Sequence, residues 1–126
     1  MTEEGAHRPP RGFRAQFEDL RRSVLDMAEP VRGRLERALA ALSGQPNGRD
    51  LARSVIDGDQ AVNDRYLDLE SECISLLALQ QPVAGDLRLV TASFKIITDL
   101  ERIGDHAVNV AARTLYMAES DSALVR

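Results

Sequence analysis

The sequence contains no tryptophan, few other aromatic residues and a single cysteine. Aromatic residues make up only 4% of the chain. Because β-sandwiches rely on β-branched and aromatic side chains, this composition favours helices packed by aliphatic residues. The one cysteine, Cys73, cannot form an intramolecular disulfide, which is typical of a protein from a reducing compartment. Its place on an apolar stripe predicts a small core residue.

Long apolar runs and an excess of basic charge are also missing. No segment approaches the roughly 18 apolar residues that a membrane span needs, and residues 1–12 lack the apolar core of a secretory signal. We therefore expect a cytoplasmic protein. The net charge of −4 gives no electrostatic footprint for nucleic-acid binding. A length of 126 residues with 44% hydrophobic residues indicates one globular domain.

Three stretches of apolar residues recur at the three- and four-residue spacing of amphipathic helices. The first begins at Phe13 and is ended by Gly44. The second follows Asn47, a suitable N-cap, and the third begins near Pro82. We predict helices at about 13–43, 48–80 and 83–119, with a flexible arm at 1–12 and a C-terminal tail at 120–126.

These elements predict an all-α protein, because no segment carries a strand signal. Short loops force neighbouring helices to be antiparallel, so the expected architecture is an elongated up-down-up three-helix bundle. The first helix carries several arginines interleaved with acids, which predicts a solvated face. They are Arg14, Arg21, Arg22, Arg32, Arg34 and Arg37.

Helical phase places four polar residues beside the apolar stripes. Glu101 falls within the apolar arc of the third helix, and Asp105 falls on its edge. Asp59 and Asn63 repeat this pattern in the second helix. Residues spaced i, i+4 project from the same side of a helix, so each pair could act together.

An unpaired carboxylate on the inner stripe of a bundle is costly. An arginine from another helix could neutralise it, and so could a hard cation or a metal cluster. Gly104, between Glu101 and Asp105, removes side-chain bulk where another group would have to approach. Phase alone leaves structural ion pairs, partner contacts and metal binding all open.

Two segments resemble the PhoU family of phosphate-signalling regulators. They are residues 76–88, LLALQQPVAGDLR, and residues 99–111, DLERIGDHAVNVA. The segment VIDGD at residues 55–59, followed by Val62 and Asn63, is similar to the start of the second helix of the family. The resemblance extends over about residues 13–119.

The resemblance implies a helical, non-enzymatic regulator. PhoU proteins consist of two tandem three-helix repeats, and this chain corresponds to one of them. They restrain the phosphate-starvation response by acting between the ATPase of the phosphate ABC transporter and a membrane sensor histidine kinase. Such a protein would reach the membrane only through its partners. We also expect a homodimer, in which two copies reproduce the two-repeat arrangement.

The resemblance also implies a metal site. Family members bind metals through Glu/Asp-x-x-x-Asp motifs on helices, and Glu101 and Asp105 match the motif of the third helix. Asp59 and Asn63 match that of the second helix, where many members have Asp in place of Asn63. The expected ions are Fe, Mn, Zn or Mg, with no organic cofactor.

Two other functions remain open at this point. The chain could be a structural or dimerisation bundle whose carboxylates form ion pairs. It could also be a carboxylate-bridged metalloenzyme, although such sites usually add a Glu-x-x-His pair. Position 104, three residues after Glu101, is glycine rather than histidine.

Overall fold

The computed structural model describes the backbone of residues 11–125 and the side chains of residues 14–120. Four helical segments follow one another: α1 (Arg11–Leu42), α2 (Gly48–Asp57), α3 (Asp59–Leu79) and α4 (Ala84–Val125). No strand occurs in this part of the chain. The all-α prediction is confirmed.

The first helix ends where the sequence predicts. Gly44 has a φ of +89°, the left-handed region that glycine adopts without strain. Its N–H donates to the carbonyl of Ala41, and the N–H of Gln45 donates to that of Ala40. These two bonds form a Schellman motif, which satisfies carbonyls at the end of the helix. Asn47 occupies the N-cap of α2, but its side chain makes no capping bond.

The second predicted helix is divided in two, which corrects the single helix expected at 48–80. The break lies at Gly58, between α2 and α3. Glycine is a poor helix former because it loses the most conformational freedom on folding. The preceding turn also gives one carbonyl to another partner: Val55 O accepts a hydrogen bond from Arg34 of α1 at 2.6 Å.

Both ends of the described chain extend further than expected. Helix α1 already includes residues 11 and 12, which were assigned to a flexible arm; residues 1–10 lie outside the described part. Helix α4 continues to Val125 through most of the expected 120–126 tail. No glycine or proline follows Gly104, so nothing in the sequence breaks this helix.

The core consists of two clusters of different side-chain size. The larger one joins residues 17–31 of α1 to α3 and to the start of α4, around Leu20, Val31 and Ile97. The smaller one joins the end of α1, α2 and the second half of α4, and it is composed of alanines and one valine: Ala38, Ala41, Ala52, Val55, Ala107 and Ala111. The first part of α1 thus packs against α3 and its end against α2, so α2 and α3 together run antiparallel to α1. The start of α4 packs against α3 and its second half against α2, so α4 runs antiparallel to them, as the up-down-up prediction requires.

Between residues 11 and 125, none of the helices combines the length and apolar character that crossing a membrane would require.

A buried arginine and a group of carboxylates between the helices

The sequence predicted that the arginines of α1 form a solvated face, and Arg34 is an exception to this prediction. Arg34 is only 2% exposed and lies on the inner side of the helix, between Val31 and Ala38. The buried stripe of α1 continues through Arg34 and Ala41, whereas Leu35 is half-buried and Leu42 is exposed. Its position in the chain places Arg34 where the two core clusters meet.

Arg34 connects α1 to the break in the second helix. Its Nη2 donates to the carbonyl oxygen of Val55 at 2.6 Å and to Oδ1 of Asp59 at 3.3 Å. The side chain of Asp59 is 28% exposed, so the ion pair is buried on the arginine side and partly wetted on the carboxylate side. Of the alternatives that the sequence left open, neutralisation by an arginine from another helix is the one observed for Asp59.

The second polar residue of α3 supports the same carboxylate. Asn63 Nδ2 donates to Oδ2 of Asp59 at 3.4 Å. Both oxygens of Asp59 therefore have a partner, one on α1 and one on its own helix. Helical phase placed Asp59 and Asn63 beside the core, and both are half-buried.

The acidic pair on α4 lies near Asp59. Glu101 is half-buried and Asp105 is exposed. Burial raises the pKa of Glu101, and a hydrogen bond with Asp105 and the charges of Asp105 and Asp59 add to this rise, against a smaller opposing effect of Arg102. The structure therefore brings Glu101 close to both carboxylates that the sequence singled out.

Gly104 provides the space that the sequence predicted for an approaching group. A Cβ atom at this position would lie 3.4 Å from Nη1 of Arg34 and 3.6 Å from Cγ1 of Val62. The guanidinium thus reaches the backbone of α4 between Glu101 and Asp105. A methyl group would just fit at van der Waals distance, but a larger side chain would displace Arg34 or Val62.

The four predicted ligand residues are only partly suited to binding a hard cation. All four predicted ligands offer oxygen atoms, the type that Mg²⁺ and Mn²⁺ prefer. Glu101 and Asp105 form a carboxylate pair at the surface, and a cation there would relieve their mutual repulsion. However, Asp59 is engaged by Arg34. No three His, Cys, Asp or Glu side chains within the described residues are placed so that they could hold a metal ion.

Cys73 has the core position that the sequence indicated. It belongs to the larger core cluster and is fully buried. Burial, with a smaller effect of the charges of Glu72 and Glu70, raises the pKa of its thiol to about 11. A thiol in this state is a packing group rather than a nucleophile.

Sequence reasoning missed Arg34, which was assigned to a solvated face. One signal could have identified it, because Arg34 lies three residues after Val31 and four before Ala38. This spacing places it on the same side of the helix as the apolar stripe. A long charged side chain at that phase is usually assumed to reach solvent.

Comparison with known proteins agrees with this fold. The PhoU domain family matches residues 24–114. The phosphate-specific transport system accessory protein PhoU homolog of Aquifex aeolicus (strain VF5) is 40% identical over 104 residues, which cover 82% of this chain and 46% of the relative. The PhoU homolog of Pseudomonas aeruginosa is 37% identical over 113 residues, covering 90% of this chain and 46% of the relative.

The Escherichia coli (strain K12) phosphate-specific transport system accessory protein PhoU is 39% identical over 103 residues, which cover 82% of this chain and 42% of the relative. The chain thus spans less than half the length of each of these relatives. The match extends over α2 and α3 and most of α1 and α4, and it includes Arg34, Asp59, Glu101 and Asp105. By this match, the chain belongs to the PhoU family.

Proposed function

We propose that this chain is a regulatory domain that acts in the control of phosphate uptake and not as an enzyme. It restrains the phosphate-starvation response by contacting the ATPase of the phosphate ABC transporter and a sensor histidine kinase on the cytoplasmic side. The observation that carries this proposal is the PhoU match over residues 24–114, together with relatives described as phosphate-specific transport system accessory proteins.

The surroundings of Gly104 support a regulatory role over a carboxylate-bridged metalloenzyme. Such an enzyme would need a histidine three residues after Glu101. A side chain of that size at position 104 would collide with Arg34 and Val62, since even a Cβ atom there would already be in contact with both. The packing around Gly104 therefore favours a role without a histidine ligand at this position.

Deletion and complementation test the regulatory function. In cells grown with ample phosphate, deletion of the gene should raise alkaline phosphatase expression, and the wild-type chain supplied on a plasmid should restore repression. Repression that persists after deletion, in a strain without a second PhoU gene, would refute the proposal. Pull-down of the transporter ATPase and the sensor kinase with the tagged chain then tests each partner separately.

A bound cation is the second part of the proposal. Glu101 and Asp105 would hold one hard or borderline cation (Mg, Mn, Fe or Zn), with Asp59 and Asn63 adjacent to them. The closeness of Glu101 to Asp105 and Asp59 supports this assignment, because a positive ion would offset the repulsion that, after burial, contributes to the raised pKa of Glu101.

Metal analysis with a matched control tests this assignment. Protein purified without chelator should contain bound metal, and the Glu101→Ala/Asp105→Ala variant should lose it. The control is Asp64→Ala/Asp68→Ala, which removes an exposed i, i+4 carboxylate pair from the surface of α3. Equal metal content in all three preparations would eliminate the site.

A homodimer is the third part of the proposal. Ile96 and Ile103 of α4 are 46% and 37% exposed, and Leu100 lies between them on the same side of the helix. A second copy could cover this stripe. Sedimentation should give a dimer for the wild-type chain and a monomer for Ile103→Glu. A monomer for the wild-type chain at millimolar concentration would refute this part.

A further inference from the structure

Arg34 is buried without full use of its donors. Arg34 is 2% exposed. Its Nη2 donates two hydrogen bonds, one to Val55 O and one to Asp59 Oδ1. Nε and Nη1 are also buried, and neither has a hydrogen-bond partner among the described residues. A buried guanidinium with unpaired N–H groups is expensive, so its position requires a reason beyond packing.

The unpaired Nη1 is directed at the carboxylate-bearing side of α4. It lies 3.4 Å from the point where a Cβ of Gly104 would be, which is on the helix turn that connects Glu101 to Asp105. Nη2 of the same group is paired with Asp59. The buried positive charge of Arg34 is therefore paired with Asp59, and it reaches the helix turn between Glu101 and Asp105 from the inner side of the bundle.

We propose that Arg34 is a resident cation of this carboxylate group, and that it lowers the affinity of Asp59, Glu101 and Asp105 for a divalent ion. The inference rests on the cation binding proposed above. Asp59, paired with Arg34 and supported by Asn63, then acts on a bound ion by compensating Arg34 rather than as a direct ligand. Glu101 and Asp105 do most of the binding.

The charge balance gives the direction and the size of the effect. Three carboxylates with Arg34 carry a net charge of −2, and without it they carry −3. A divalent ion bound within several ångströms of a guanidinium is repelled by it even at a high effective dielectric constant. Removal of the charge at position 34 should tighten divalent binding by about tenfold or more.

Titration calorimetry with Mn²⁺ at constant ionic strength tests the inference. Arg34→Gln keeps a donor for Val55 O and removes the charge, whereas Arg34→Lys keeps the charge. Arg37→Gln is the matched control, because it removes one positive charge from the next turn of the same helix. We expect tightening of about tenfold or more for Arg34→Gln only, with changes below about threefold for Arg34→Lys and Arg37→Gln.

A second comparison leaves Arg34 in place and does not depend on the folding of Arg34→Gln. Because Asp59→Asn leaves the charge of Arg34 uncompensated, it should weaken Mn²⁺ binding by about tenfold or more. Glu101→Gln should weaken it more than about tenfold. Circular dichroism of each variant reports whether it is folded.

The outcomes separate this inference from the cation-binding proposal. Unchanged or weaker binding in Arg34→Gln, with measurable binding in the wild type, overturns the role of Arg34 alone. Binding that appears only in Arg34→Gln supports that role, because the resident charge then excludes the ion. Absence of binding in both the wild type and Arg34→Gln overturns both proposals. A change of less than about threefold in Asp59→Asn also contradicts the inference.

Discussion

The two members of the Arg34–Asp59 pair should respond unequally to mutation. Asp59→Ala leaves the buried guanidinium with Val55 O as its one remaining hydrogen-bond partner among the described residues. Arg34→Met instead removes the buried charge, fills the space of its aliphatic stem and leaves Asp59 to water and Asn63. We therefore expect Asp59→Ala to be the more destabilising change, although Arg34 is the more deeply buried residue.

The magnitudes follow from burial and pairing. Loss of one partner of a buried ion pair costs about 3–5 kcal/mol, and the 28% exposure of the Asp59 side chain reduces this to about 2–3 kcal/mol. Arg34→Met leaves Val55 O without its donor, which costs about 1–3 kcal/mol, but it also removes the unpaired Nε and Nη1 groups from the interior. The net cost should be about 1 kcal/mol.

Urea unfolding of the two single variants and the double variant measures the asymmetry. In the Arg34→Met background, Asp59→Ala should cost less than about 0.5 kcal/mol, because no buried charge remains to be orphaned. Asp64→Ala, at an exposed position of the same helix, should also change stability by less than about 0.5 kcal/mol. An equal cost of Asp59→Ala in both backgrounds would refute the reasoning.

Three further predictions concern other residues. Gly104→Ala should be tolerated, since a methyl group fits at van der Waals distance, whereas Gly104→Leu should lower stability by about 1–3 kcal/mol in urea unfolding; equal stability would show that Arg34 does not pack there. Between about pH 4 and the raised pKa of Glu101, the folded state binds more protons than the unfolded state, so stability should fall as pH rises through this range. Measured with a chelator present, so that no cation is bound, Glu101→Gln should therefore be more stable than the wild type at pH 7 but not at pH 3, and a constant difference would contradict the assignment. Cys73, with a thiol pKa of about 11, should react with a disulfide reagent at pH 8 only as fast as the protein opens, so rapid reaction of the folded protein would exclude its burial.

Local signals in the sequence were sufficient for most of the fold. Apolar periodicity identified the helices, and Gly44 ended the first one through a bond pattern that only neighbouring residues form. The break at Gly58 was not anticipated, because glycine within a helical pattern is often tolerated. Whether it breaks the helix here depends on Arg34, which takes the carbonyl of Val55 from another helix.

The sequence predicted the carboxylates of the candidate site but not Arg34, the positive charge that pairs with one of them. Helical phase correctly placed Glu101 and Asp59 beside the core, because phase depends only on residue spacing. It also indicated that something must approach Gly104. The sequence did not identify the approaching group. Several arginines on α1 were equally suitable, and the direction of a side chain depends on its packing.

The sequence by itself thus determined the helices, their apolar faces and the positions of the acids, since these properties depend on residues a few positions apart. Only the tertiary structure decided that Arg34 pairs with Asp59, 25 residues away along the chain, and that its guanidinium occupies the space left by Gly104. The physical reason is that such contacts depend on the register and distance between helices. That register is set by the packing of the whole core rather than by any single segment.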